Sequence, residues 1–299
     1  MSKSSKSSHQ LDHTPFLVPP GKTVTLSDYD PAYCAGLEDQ KEGRKALRED
    51  KLQLAAAQSL LWANSTHSVL IILQAMDAAG KDGAIKHVMS GVNPQGIDVH
   101  SFKAPNSEER LHHFLWRPAR VLPARGRIAI FNRSYYEEVL VVRVHPGFLD
   151  SQFLPERERS RPLEDIWRSR YHDINEFENT VSRSDITIIK FFLNVSKKEQ
   201  RKRFIARLED PEKNWKFSAG DLRERTFWDD YQQAYADMLG ATSSEAAPWY
   251  VIPADRKWFA RAAIADIVTS RIRKLKLSPP ALSEEQKEDI SKAREEMGI

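Results

Sequence analysis

The chain has 299 residues, of which 40% are hydrophobic and 29% charged, and a net charge of +3 at pH 7. This composition supplies one α/β domain with additions and excludes wholesale disorder; the single cysteine, Cys34, excludes an internal disulfide and suits a reducing, cytoplasmic setting. No apolar run approaches the roughly 20 residues of a membrane-spanning helix, and the opening MSKSSKSSHQ lacks the apolar stretch of a secretory signal.

Residues 1–25 are rich in Ser, Lys, His and Pro and predict a flexible tail. His9 and His13 have helical metal-ligand spacing, but nothing around them predicts a helix. Residues 36–63 are amphipathic with a helical period, Leu47, Leu52, Leu54, Ala55 and Leu61 lying near one face. Residues 68–73 (SVLIIL) form a short, β-branched apolar run, the pattern of a strand buried on both faces. Further strands are predicted at 97–102, 127–131, 186–193 and 249–252. Helical patterns separate them, at 81–89, from Asn106 through Leu115, at 163–181, at 197–208 behind a Ser196/Glu199 capping box, at 221–239 and at 257–274. Strand–helix alternation of this kind predicts a doubly wound, five-stranded parallel sheet between helices. A charged helix over 284–297 closes the chain, giving a tail (1–25), a catalytic domain (26–275) and a C-terminal appendage (276–299).

The first strand runs into Gln74-Ala75-Met76-Asp77-Ala78-Ala79-Gly80-Lys81-Asp82-Gly83. A strand, a small-residue loop ending in Gly-Lys and then a helix is the layout of a phosphate-binding loop. Backbone N–H groups close around phosphate oxygens, and the lysine reaches the outer phosphate. The strict pattern G-x-x-x-x-G-K-[ST] is broken: Ala75 stands at the first glycine and Asp82 at the hydroxyl residue. Asp77 and Asp82 place carboxylates where they could hold Mg²⁺ against phosphate. The third strand ends in Asn132-Arg133-Ser134-Tyr135-Tyr136-Glu137, where a phosphate-loop fold carries its second polar cluster. Arg203 and Arg207 share a helix face beside the 209–218 loop, which carries Lys213 and Lys216. A lid over about 197–222 is expected there, with these arginines closing on a transferring phosphoryl group. Lys86, Lys103, Arg110, Arg117, Arg120, Arg125 and Arg127 predict a basic lane for a polyanion longer than a triphosphate. No helix-turn-helix, zinc spacing or RNA-binding aromatic strand accompanies it, so nucleic acid is not expected.

Seven segments together resemble the polyphosphate kinase 2 family: residues 76–83 (MDAAGKDG), 91–94 (GVNP), 101–105 (SFKAP), 114–117 (FLWR), 131–137 (FNRSYYE), 215–217 (WKF) and 247–254 (APWYVIPA). The resemblance spans about residues 30–275. It implies a thymidylate kinase-like fold and transfer of phosphoryl groups from inorganic polyphosphate to nucleotides with Mg²⁺ or Mn²⁺. By resemblance, Asp77, Lys81, Arg133 and Glu137 are catalytic. Ala78, Ala79, Gly80, Lys81, Asp82, Gly83, Lys86, Lys103, Arg117 and Arg133 bind the phosphates. Asn93, Pro94, Asn132 and Glu137 bind nucleotide, and Asp77 and Glu137 hold the metal. Many members have Asp at the position of Asn132 and Asn at that of Glu137. The reverse pattern resembles the class III subgroup, which accepts both AMP and ADP and yields ADP and ATP. A homo-oligomer, dimer or tetramer, is implied as well. The rival readings are an ATP-dependent nucleoside monophosphate kinase and a non-catalytic polyanion-binding protein.

Overall fold

A computed structural model describes residues 11–212 and 214–299; His9 and Lys213 lie outside them, as does the side chain of Lys216. Five strands, β1 (Ser68–Gln74), β2 (Ile97–Ser101), β3 (Ile128–Asn132), β4 (Ile186–Asn194) and β5 (Trp249–Pro253), form one parallel sheet in the order β2-β3-β1-β4-β5. Every residue of β1 is buried, as a strand covered on both faces must be. Its C-terminal end is in register with both neighbours: Leu73 lies opposite Asn132 of β3 and Phe191 of β4. The strand-end residues therefore converge on one rim of the sheet, at the point where the strand order reverses.

The helices are α1 (Gln40–Asn64), α2 (Lys81–Val88), α3 (Ser107–Arg110), α4 (Trp116–Ala119), α5 (Val141–Val144), α6 (Glu156–Arg159), α7 (Leu163–Ser182), α8 (Lys197–Glu209), α9 (Ala219–Glu224), α10 (Trp228–Thr242), α11 (Lys257–Arg273) and α12 (Glu284–Met297). One helical layer contains α1, α2 and α11; the other contains α7 and α10, with α7 against β4. Asp39 caps α1 by accepting from the N–H groups of Lys41 and Glu42. No residue of α12 is buried.

Three expectations change. Residues 11–25 are not a tail. Leu11, Phe16, Val18 and Val24 are buried, and Val18 N–H donates to Trp249 O at 3.0 Å along the free side of β5. An edge strand presents unpaired carbonyls, and this strap covers them. His13 likewise has a structural partner, with Nε2 3.1 Å from Asp266 Oδ2. The helix starting at Asn106 ends after Arg110, and a new turn begins at Trp116. Pro118 lacks the N–H that a continuous helix would direct at Phe114. The 221–239 helix is interrupted by a 3-10 turn, Arg225–Phe227, where Thr226 Oγ1 donates to Arg223 O rather than continuing the helix.

Candidate active site

The loop between β1 and α2 is built by its backbone. Ala78 and Gly80 adopt positive φ, 63° and 114°, and Gly80 is the N-cap of α2. Glycine adopts this conformation without penalty; an alanine there stores strain that the surroundings must offset. Helix α8 supplies the offset. Gln200 Nε2 donates to Asp77 O at 3.0 Å, and Arg203 Nη1 donates to Ala78 O and Ala79 O at 3.1 and 2.6 Å. A trans peptide points its N–H opposite its C=O, so this grip turns the N–H groups of Ala78 and Gly80 away from α8. The first N–H groups of α2 add their own unpaired donors, and an anion-binding nest results. Inside it, Lys81 is buried and its Nζ donates to Ala75 O at 2.8 Å. Burial pulls the Lys81 ammonium below its ordinary pKa, against the pull of Asp77, Glu137 and Asp82.

The end of β3 supplies the second half. Arg133, held at φ 61°, donates from Nη2 to Asp77 Oδ1 at 2.6 Å, and Asn132 Nδ2 donates to Asp82 Oδ1 at 2.7 Å. Burial opposes the charge on Arg133, but the carboxylates of Glu137 and Asp77 outweigh it and raise its pKa. For Glu137 burial wins: its carboxyl is pushed above the usual range despite Arg133 and Lys81. Gln74, fully buried at the end of β1, donates to Ser134 Oγ at 3.2 Å, while its Oε1 has no partner. A buried ion pair braces the turn from behind. Tyr135 and Tyr136 both donate to Glu178 Oε1 at 2.7 Å, and Lys190 Nζ donates to Glu178 Oε2 at 2.5 Å and Thr242 O at 2.7 Å.

These elements line a cavity of about 910 Å³. Asp77 to Gly83, Lys103, Asn132, Arg133, Arg203 and Arg207 all border it. Several expected site residues do not. Glu137 lies off the lining, near enough to Lys81 and Arg133 to act on their charges. Lys86 is exposed on the last turn of α2, outside the cavity. Arg117 turns its guanidinium to Lys103 O and Glu109 over the Phe102 ring, and so holds the loop that carries Lys103. Arg120 stacks on Trp116, Arg125 meets Asp185, and Arg127 pairs with Asp98 at the far end of β3. Arg117, Arg120, Arg125 and Arg127 are thus spent on internal contacts, whereas Lys103, on the cavity border, and Arg110 have no such pair among the described residues. Asn93 and Pro94 precede β2, at the rim opposite the phosphate loop; Asn93 caps a 3-10 turn there. Arg203 is no mobile lid residue, because each of its N–H donors already has an acceptor: Glu199, Ala78, Ala79, Ala254 and Asp255. Arg207 stands 3.4 Å from Asp221, on the wall of the cavity.

Lys257 and Arg261, which also border the cavity, were missed by the sequence reading. The signal was present: a helix behind the fifth strand, with basic residues four apart.

Among the described residues no three His, Cys, Asp or Glu side chains form a metal cage. That donor set fits Mg²⁺ nonetheless, because this ion takes one or two carboxylates and draws its other ligands from phosphate and water. Asp77, Glu137 and Asp82 all stand close enough to Lys81 to act on its charge, and Asp77 and Asp82 border the cavity.

A family model, Polyphosphate kinase 2 (PPK2), matches residues 37–280. The chain belongs to the polyphosphate kinase 2 family. Its polyphosphate kinase 2 relatives include an ADP-polyphosphate phosphotransferase of Rhodopseudomonas palustris, 47% identical over 94% of this chain and 97% of the relative. An AMP/ADP-polyphosphate phosphotransferase of Meiothermus ruber is 41% identical over 89% and 94%. The crystal structure of polyphosphate kinase 2 from Arthrobacter aurescens superimposes with a TM-score of 0.86 at 37% identity, covering 97% of this chain and 100% of that one. The polyphosphate kinase 2 fold and the sheet described above are therefore the same architecture.

Proposed function

We propose that this chain transfers the terminal phosphoryl group of inorganic polyphosphate to AMP and ADP, giving ADP and ATP, in a reversible reaction. The observation that carries the reading is the cluster of Asp77, Lys81, Arg133 and Glu137 around the phosphate loop, in a chain similar over nearly its whole length to two polyphosphate phosphotransferases. An oxygen of the acceptor's terminal phosphate attacks the end phosphorus of the chain. One P–O bond forms, the terminal phosphoanhydride P–O bond breaks, and its electron pair stays on the shortened chain.

The protein's part is positioning and charge. The loop amides and Lys81 hold the transferring group, and Arg133 meets the negative charge that spreads over its oxygens. Asp77 and Glu137 would hold Mg²⁺ (or Mn²⁺), which supplies further neutralisation of the phosphate oxygens. Asn132 leaves the strand end uncharged next to Asp82, and Glu137 is the carboxylate that the turn after β3 brings within charge range of Lys81 and Arg133. A homo-oligomer belongs to the same reading: Phe148, Phe153 and Leu163 expose apolar surface suited to a second copy, which light scattering measures.

The deciding assay supplies AMP or ADP, Mg²⁺, and either polyphosphate or ATP, and resolves the nucleotides by chromatography. Product formed with polyphosphate and lost on the order of 10²–10³-fold in Lys81→Ala supports the reading. Product formed with ATP alone makes the chain a nucleoside monophosphate kinase, and none with either leaves a polyanion-binding protein.

A further inference from the structure

Gln200 on α8 and Arg225, in the 3-10 turn after α9, lie next to the candidate active site without bordering its cavity. Gln200 is fully buried, and its two polar atoms are both engaged. Nε2 donates to Asp77 O at 3.0 Å, and Oε1 accepts from Arg225 Nη1. A guanidinium has only donors and a carbonyl oxygen only accepts, so the two contacts together permit one orientation of the amide. Without Arg225 the buried Oε1 has no donor, which costs about 1–3 kcal/mol. Turning the side chain toward water relieves that cost and releases Asp77 O.

The Asp77 carbonyl belongs to the same peptide as the Ala78 N–H. Holding the oxygen toward α8 turns that N–H into the nest. Arg203 holds the next two carbonyls, but Gln200 is the one donor that Asp77 O meets among the described residues. The peptide needs the restraint, because Ala78 stands at φ 63°. Arg225 is fixed in its turn. Glu224, just before it, accepts from Tyr231 Oη at 2.7 Å and meets His145 Nε2 at 2.7 Å, and the Arg225 guanidinium lies 5.7 Å from the centre of the Trp228 ring. On the other side, α9 reaches the cavity through Asp221, which pairs with Arg207.

We infer that Arg225 is a positioning residue for phosphoryl transfer: through Gln200 it holds the Asp77 peptide so that the Ala78 N–H faces the phosphate. This rests on the proposed function and adds to it a residue that touches no substrate. Its effect passes through one side-chain amide to one backbone N–H. The nest is therefore complete only while the segment that follows α9 is seated against α8, and the wall carrying Asp221 and the loop carrying Lys81 are set together.

The test measures polyphosphate-dependent phosphorylation of ADP by the full chain and by Arg225→Met, Arg225→Lys, Gln200→Ala and the double variant Arg225→Met with Gln200→Ala, each with a thermal melt without substrate. Arg225→Met should lower kcat roughly tenfold and leave the nucleotide KM within about twofold. The loss is smaller than the 10²–10³-fold of a deleted anion-binding donor, because the Ala78 N–H is misaligned rather than absent. Arg225→Lys keeps a donor for Oε1 and should recover most of the rate. In the Gln200→Ala background Arg225→Met should lower kcat no further, because the path between the two is already cut. A kcat that matches the parent in Arg225→Met overturns the inference, whatever the melt shows. So does a loss that Arg225→Lys leaves unrepaired, or losses that multiply in the double variant. Should Gln200→Ala fail to fold, the two Arg225 variants decide alone, since that residue is half-buried and outside the core. A parent protein that forms no product from polyphosphate overturns the proposed function, and this inference with it, which is distinct from an active parent with an unaffected Arg225→Met.

Discussion

Arg133 donates to Asp77 at 2.6 Å, and this contact ties the end of β3 to the loop that follows β1. Both residues sit at strand ends that the parallel sheet brings side by side. Their pairing leaves one Asp77 carboxylate oxygen for other ligands and holds the Arg133 guanidinium at the mouth of the nest. The same logic of one group fixing another governs the wider site, and it yields four expectations.

Arg203 clamps the loop instead of closing over substrate. Arg203→Lys retains the charge but loses the fork that reaches four backbone carbonyls. Each buried carbonyl left without a donor costs about 1–3 kcal/mol. The melting temperature of the substrate-free protein should therefore fall by several degrees, and kcat with it. A residue that engaged only a bound phosphoryl group would leave the substrate-free melt untouched, and that outcome would return Arg203 to a lid role.

Glu137 is the acidic group beside Lys81 and Arg133 that Asn132 does not provide. Glu137→Asn should impair ADP phosphorylation more than AMP phosphorylation, on the order of tenfold in the ratio of kcat/KM values, the size of one lost charge-assisted contact. Steady-state kinetics with both acceptors across a Mg²⁺ titration measures it. An unchanged ratio and metal dependence make Glu137 a structural residue.

Lys190 and Glu178 are buried together behind the Arg133–Glu137 turn. Lys190→Met leaves the Glu178 carboxylate with two tyrosine donors and no cation. Breaking such a pair costs about 3–5 kcal/mol, on the order of 10 °C in melting temperature for a chain of this size. The double variant Lys190→Met with Glu178→Gln should recover part of that loss, because no charge is then stranded. A double variant that melts no higher than the single one contradicts this account.

Asp50, on α1, is pushed up to about 8 by burial, then by the nearby charges of Asp266 and Glu49. Its folded pKa therefore lies above its unfolded value of 3.8. Protonated Asp50 favours the fold fully below pH 4, and that contribution is lost as the pH rises to about 8. Asp50→Asn stays neutral throughout. The variant should melt close to the parent near pH 4 and progressively above it toward pH 8; a gap that does not change with pH excludes this role.

The strands, the phosphate loop and the strand-end cluster were legible because each is a local pattern. A buried apolar run predicts a parallel strand, and small residues before Gly-Lys predict a nest. What the sequence concealed was pairing at a distance. Nothing local distinguishes Arg117, committed to Glu109 and Lys103 O, from Arg261, which has no such partner; only the fold decides which cation is spent. Arg203 was expected at the site and is there, yet its partners, Ala78 and Ala254, are backbone atoms from segments far apart in sequence. Residues 11–25 were misjudged for a related reason. Their His and Pro content reads as a tail, while the few apolar residues that dock them, Phe16 and Val18, find their surface only once β5 exists.

That docked strap has a mechanical consequence. Val18 holds Trp249 at the start of β5; β5 leads to Ala254 and Asp255, whose carbonyls receive one arm of Arg203; the other arm holds Ala78 and Ala79. The first described stretch of the chain is thus in series with the loop that cradles phosphate. Trimming into residues 14–18, or attaching a tag that pulls them off the sheet edge, loosens the far end of that linkage. The loss is then felt as a slack phosphate cradle before it is felt as an unfolded domain.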